Sequence, residues 1–179
     1  MVLDRIEAVL EPAFVEGIDA LEIDELRVRR SECQYLEEVL SYVRRVVQAR
    51  LDIVLAELER REGGGGADPA SLVDQLPAIF AERQQRGSTR LTAYHDPAAA
   101  SDELLGLLDA VVGTDTLAQL SDLDDERVRW LAGALSELER SFSDGRRSLH
   151  QHLDALQAEI VRRYKTGAVS VEEVLRSPR

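Results

Sequence analysis

Apolar residues recur at helical spacing along two stretches of the chain, each too long to leave its stripe in water. In the first, Leu36, Leu40, Val43, Val47, Leu51, Val54 and Leu58 follow one another in steps of 4, 3, 4, 4, 3 and 4. In the second, Leu138, Phe142, Gly145, Leu149, Leu153, Leu156 and Ile160 repeat those steps in the same order. Near-heptad spacing keeps a seam facing a partner helix. The first stretch is proline-free and ends at the run Gly63, Gly64, Gly65, Gly66, which predicts a helix over 23–62. The second opens with the cap-like SDLDDE and carries Arg162, Arg163 and Lys165 before Thr166 and Gly167, which predicts a helix over 124–166. The segment 63–123 reads as a glycine linker followed by a connector with short helices near 71–86 and 101–112, and 167–179 as a C-terminal tail. The expected fold is all-α: a single helical domain over 1–179, built on an antiparallel two-helix coiled coil with short helices in the connector. Trp130 and Phe142 are expected in its core.

The two stretches share more than a stripe. Shifting the chain by 102 residues superimposes 36–61 on 138–163 with eleven of twenty-six positions identical, more than two unrelated amphipathic helices would share. The polar matches are the informative ones: Glu37 with Glu139, Ser41 with Ser143, Arg44 with Arg146, Arg45 with Arg147, Asp52 with Asp154, Glu57 with Glu159. At Gln48 the second copy has His150. At 100° per residue, Glu37, Ser41, Arg44, Gln48 and Asp52 fall within an arc of about 80°, on the shoulder of the stripe and over about 22 Å of helix. Glu139, Ser143, Arg146, His150 and Asp154 do the same. If antiparallel helices bring the motif centres face to face, Glu37 lies opposite Asp154 and Asp52 opposite Glu139. Two polar ladders related by a pseudo-two-fold axis suit a ligand that is itself two-fold symmetric.

Charge narrows that ligand. With 22 Lys and Arg against 34 Asp and Glu, the net charge is −12, which disfavours nonspecific attraction to nucleic acid or to an anionic membrane. Arginine presents a planar fork that fits phosphate or the O6 and N7 edge of guanine, while a carboxylate accepts from the N1 and N2 donors of guanine. Arginines set symmetrically among such acceptors would attract a small anionic guanine nucleotide locally, and a cyclic dinucleotide meets all of these demands.

The spacing Glu, three residues, Ser, two, Arg, three, Gln, three, Asp resembles the signature of the RsiG family of actinobacterial anti-sigma factors, and LEEVLSYVRRVVQARLDIVLAEL resembles that family over the whole first helix. Helix one matches at Glu37, Ser41, Arg44, Gln48 and Asp52. Helix two matches at Glu139, Ser143, Arg146 and Asp154, with His150 in the glutamine position. The resemblance implies an antiparallel coiled coil that binds cyclic di-GMP, as a dimer, through these ten residues and, so loaded, sequesters a WhiG-type sporulation sigma factor. Both copies in one chain resemble the family members that work as a monomer, and the acidic charge and lone cysteine lead us to expect a cytoplasmic protein with no direct contact with DNA, RNA or membrane.

Two other readings compete: a structural coiled-coil scaffold whose ladders only set register and solubility, and a cyclic di-GMP sensor with a different protein partner. Metal binding is not expected, because His150 and His152, two residues apart on a helix, point different ways. An enzyme is not expected either, since Gly63 to Gly66 lacks the lysine and preceding strand of a phosphate loop, and no nucleophile elbow is present. Cys33 is the only cysteine, which excludes an intramolecular disulfide and suits a reducing interior. MVLDRIEAVLEP has acids and no apolar run followed by a cleavage site, so no signal peptide is expected, and nothing approaches a membrane span.

Overall fold

The computed structural model describes residues 1–63 and 97–167, and every regular element among them is helical. In chain order these are α1 (Val2–Leu10), a 3-10 turn (Pro12–Val15), α2 (Ile23–Arg61), α3 (Pro97–Val112), α4 (Thr114–Ala118), a second 3-10 turn (Leu120–Asp122) and α5 (Asp125–Lys165). The fold is therefore all-α. The short helix expected near 71–86 lies outside the described residues, and the one expected at 101–112 starts earlier, at Pro97, whose missing N–H suits a first helical turn.

The long helices end where local chemistry stops them. Asp124 accepts a 2.7 Å hydrogen bond from the backbone N–H of Arg127, an N-cap that satisfies one of the free donors at the start of α5. Gly167 (φ +71°) and Gly63 (φ +82°) follow α5 and α2 in the left-handed region, which glycine enters without strain.

The chain forms two compact units, Met1–Glu38 with Asp144–Arg179, and Val39–Ser143; both long helices contribute to each. In the first unit α1 buries Val2, Ile6 and Val9, and α2 buries Leu26, Cys33, Tyr35 and Leu36. Cross-helix pairs run in opposite chain senses: Arg27 with Tyr164, Arg30 with Gln157 and Glu37 with Arg146. In the second unit α3 buries Leu104, Leu108 and Val112 beside Val43, Val46, Val47, Ile53 and Val54 of α2 and Val128, Leu131 and Leu135 of α5. Here too the pairs descend along one helix as they climb the other, from Arg44 with Glu139 to Arg61 with Asp125. Each fully buried leucine contributes on the order of 2 kcal/mol of apolar burial.

Two core expectations change. Trp130 is 50% exposed, because Val128, Leu131 and Leu135 take the inward face of α5 and leave position 130 on the flank, where the Arg127 guanidinium lies 4.1 Å from its ring centroid. Phe142 is only half-buried, as are Leu138 and Gly145 of the same stripe, whereas Leu149, Leu156 and Ile160 are covered.

The repeat reaches further than its motif. A shift of 102 residues carries the end of α1 onto the end of α3, the turn after α1 onto α4, Ile23 onto Asp125 and Arg61 onto Arg163. In both repeats a shorter helix and a single helical turn thus precede the long helix.

Candidate functional site

The polar ladders of α2 and α5 meet across the helices once in each unit. In the first unit Arg146 donates to Glu37 Oε1 from Nε at 3.1 Å and from Nη2 at 2.9 Å, and His150 Nε2 lies 3.5 Å from the same oxygen. In the second, Arg44 Nη1 donates to Glu139 Oε1 at 2.7 Å, joined there by Gln48 Nε2 at 3.2 Å and Ser143 Oγ at 3.0 Å. The Arg44 hydrogen bond holds the Glu139 carboxyl below the usual carboxylate range; burial opposes it, and Ser143 and Gln48 assist. The arginine and glutamate of each pair are largely covered, so these contacts are screened less than open surface pairs.

Gln48 and His150 hold equivalent posts. Each directs a side-chain nitrogen at the glutamate of the opposite helix, which is how histidine can stand in the glutamine position. The side chains that meet are not the carboxylates of the two motifs. Glu37 meets Arg146 and His150 rather than Asp154, and Glu139 meets Arg44 and Gln48 rather than Asp52. Each arginine reaches along the seam to the glutamate of the opposite helix, which pairs carboxylate with guanidinium instead of with another carboxylate. Asp52 and Asp154 are exposed and join neither cluster, while Ser41 is half-buried on α2.

Below the ladders lie buried polar groups that the motif does not include. Arg50, 5% exposed, donates to the Val112 carbonyl at the end of α3 and pairs with Asp109. His152, at the equivalent position in α5, bonds through Nδ1 to the Val9 carbonyl of α1 at 2.9 Å and stacks on Phe14. Since a carbonyl only accepts, that nitrogen carries the proton. Each short helix is therefore tied by its last turn to a long one.

Glu57 and Glu159, another matched pair, are clamped by arginines three and four residues on. Arg60 first and then Arg61 hold the Glu57 carboxyl down to about 2 against the effect of burial, and Arg162 and Arg163 do the same for Glu159. The outer arginine of each clamp also ties down a turn: Arg61 reaches the Leu120 carbonyl at 2.9 Å, and Arg163 the Ile18 and Asp19 carbonyls at 3.1 and 3.0 Å. The spacing Glu-x-x-Arg-Arg, present in both helices, is the sequence signal for these clamps.

Chemically the two clusters offer an arginine fork, a carboxylate and neutral donors, a set that recognises phosphate and guanine edges. Among the described residues no three His, Cys, Asp or Glu side chains converge as metal ligands. Cys33 is fully buried and its thiol is pushed up to about 11, chiefly by that burial, so it is a core residue rather than a nucleophile. No described helix is long and apolar enough to cross a membrane.

Compared with known proteins, the chain matches the family model described as RsiG-like over residues 12–80 and 114–178. No curated protein matches it.

Proposed function

The chain belongs to the RsiG-like family, which is of the anti-sigma factor type, and on that premise we propose that it binds cyclic di-GMP through its doubled motif and, so loaded, sequesters a WhiG-type sigma factor. The observation that carries the reading is the meeting of motif residues across the helices in both units, Arg146 with Glu37 and Arg44 with Glu139. Charged flanks beside a helical seam usually pair within their own helix and contribute little. Here the same residue types, at the same spacing, reach across twice, and each cluster combines donors and an acceptor suited to guanine and phosphate. The ligand set comprises Glu37, Ser41, Arg44, Gln48 and Asp52 of α2 with Glu139, Ser143, Arg146, His150 and Asp154 of α5. Two cyclic di-GMP molecules bind per monomeric chain.

The mechanism is ligand-gated binding, with no chemical step. Cyclic di-GMP stabilises the sigma-competent form only to the extent that this form binds it better, and sigma tightens nucleotide binding by the same factor. High nucleotide holds sigma inactive and a fall releases it, which places the protein in the cytoplasm with no DNA contact of its own. A coiled-coil scaffold is the competing reading, since cross-helix ion pairs also fix register.

Calorimetric titration of cyclic di-GMP into the protein, alone and with a WhiG-type sigma factor, tests the proposal. Near two nucleotides per chain, tightened by sigma, is the expected result. Absence of heat in both conditions favours the scaffold, and nucleotide binding unaffected by sigma points to a sensor with another partner.

A further inference from the structure

We infer that the two motif arginines are unequal, Arg44 taking a phosphate or guanine acceptor before Arg146 does; the inference rests on the ligand class proposed above. Arg146 directs both Nε and Nη2 at Glu37 Oε1, so two of its donors are engaged on one carboxylate. Arg44 reaches Glu139 through Nη1 alone, at 2.7 Å, with Ser143 Oγ at a long 3.5 Å. Among the described residues its Nε is buried without a hydrogen-bond partner. A buried donor lacking an acceptor is destabilising, and an incoming oxygen or ring nitrogen relieves that deficit as it binds.

The counter-ion of Arg44 does not depend on that arginine alone. If Arg44 turns toward a ligand, Glu139 keeps the Gln48 amide at 3.2 Å and the Ser143 hydroxyl at 3.0 Å. At the other cluster the position equivalent to Gln48 is His150, 56% exposed and 3.5 Å from Glu37, a looser donor that is charged only when protonated. Release of Arg44 therefore leaves its former partner hydrogen-bonded. The Ser143 hydroxyl, within reach of both Glu139 and Arg44, can follow either.

The test uses the full chain labelled at arginine side-chain nitrogens, with the Nε–H resonances of Arg44 and Arg146 assigned through Arg44→Lys and Arg146→Lys. Titration with cyclic di-GMP should move the Arg44 signal at one third or less of the ligand concentration needed for Arg146. In calorimetry Arg44→Gln should weaken the first binding event tenfold or more, and Arg146→Gln less than threefold, with helicity checked by circular dichroism in both. Simultaneous movement, Arg146 moving first, or equal losses in the two variants would overturn the inference. GMP is the independent probe. If cyclic di-GMP moves neither signal while GMP moves Arg44 first, the dinucleotide assignment falls and the inequality stands; if GMP moves both together or neither, the inequality falls as well.

Discussion

The two compact units solve one problem with different residues. Each must tie the last turn of a short helix to a long helix, and each does so from the same repeat position. In the unit Val39–Ser143 the tie is Arg50, a buried guanidinium that bonds the Val112 carbonyl and pairs with Asp109. In the other it is His152, which bonds the Val9 carbonyl and stacks on Phe14. A donor aimed at a C-terminal carbonyl is what the geometry requires, and either side chain provides it. Position is conserved between the repeats more strictly than residue type, as Gln48 and His150 also illustrate.

That comparison can be broken experimentally. The largest effect should follow Arg50→Met, which leaves the Val112 carbonyl without its buried donor and the half-exposed Asp109 without its ion pair; a loss on the order of 2 to 3 kcal/mol is expected in chemical denaturation. A loss below about 1 kcal/mol would mean that the tie is dispensable. Glu57→Gln should cost on the order of 2 kcal/mol at neutral pH, by weakening charge-assisted hydrogen bonds to Arg60 and Arg61. Its pH signature follows from the lowered carboxyl. The contribution of Glu57 is fully present above its ordinary value of 4.5 and is lost as pH falls toward about 2, so the variant should show a shallower acid limb. Glu159→Gln should shift the acid limb in the same direction.

His152→Phe keeps the ring against Phe14 but removes the donor to Val9, and about 1 kcal/mol is expected, less than at Arg50 because no ion pair is lost. A loss equal to that of Arg50→Met would show that the ion pair with Asp109 adds nothing. Trp130→Ala, on the open flank of α5, should stay within about 0.5 kcal/mol. A larger loss would return that ring to the core.

The legibility of these features in the sequence follows from their physics. Both long helices could be read because their stripes hold one period for about forty residues and end at glycine, a signal that depends on local chain chemistry alone. The first short helix is not legible although Val2, Ile6 and Val9 have helical spacing, because nine residues make too short a stripe to stand out without its partner. Trp130 lies outside the core because its neighbours Val128 and Leu131 fix the inward face. The motif residues could be named from spacing, but their pairing could not: the register depends on the sum of cross-helix charges and packing. Arg50 and His152 were illegible as anchors, since an arginine and a histidine at one repeat position look like divergence until the carbonyls they reach are known.

The way the chain is divided carries a consequence for its birth on the ribosome. The unit Val39–Ser143 is one continuous stretch, whereas the other unit needs Met1–Glu38 to meet residues from Asp144 onward. Arg61 finds Leu120 across 59 residues, and Arg163 finds Ile18 across 145. Translation delivers the first set of partners well before the second, and the shorter closure also has the smaller entropy penalty. The continuous unit should therefore gain protease protection on nascent chains stalled soon after residue 143 has emerged, while α1 waits for His152 of α5. Protection of α1 on those same chains would reverse the order.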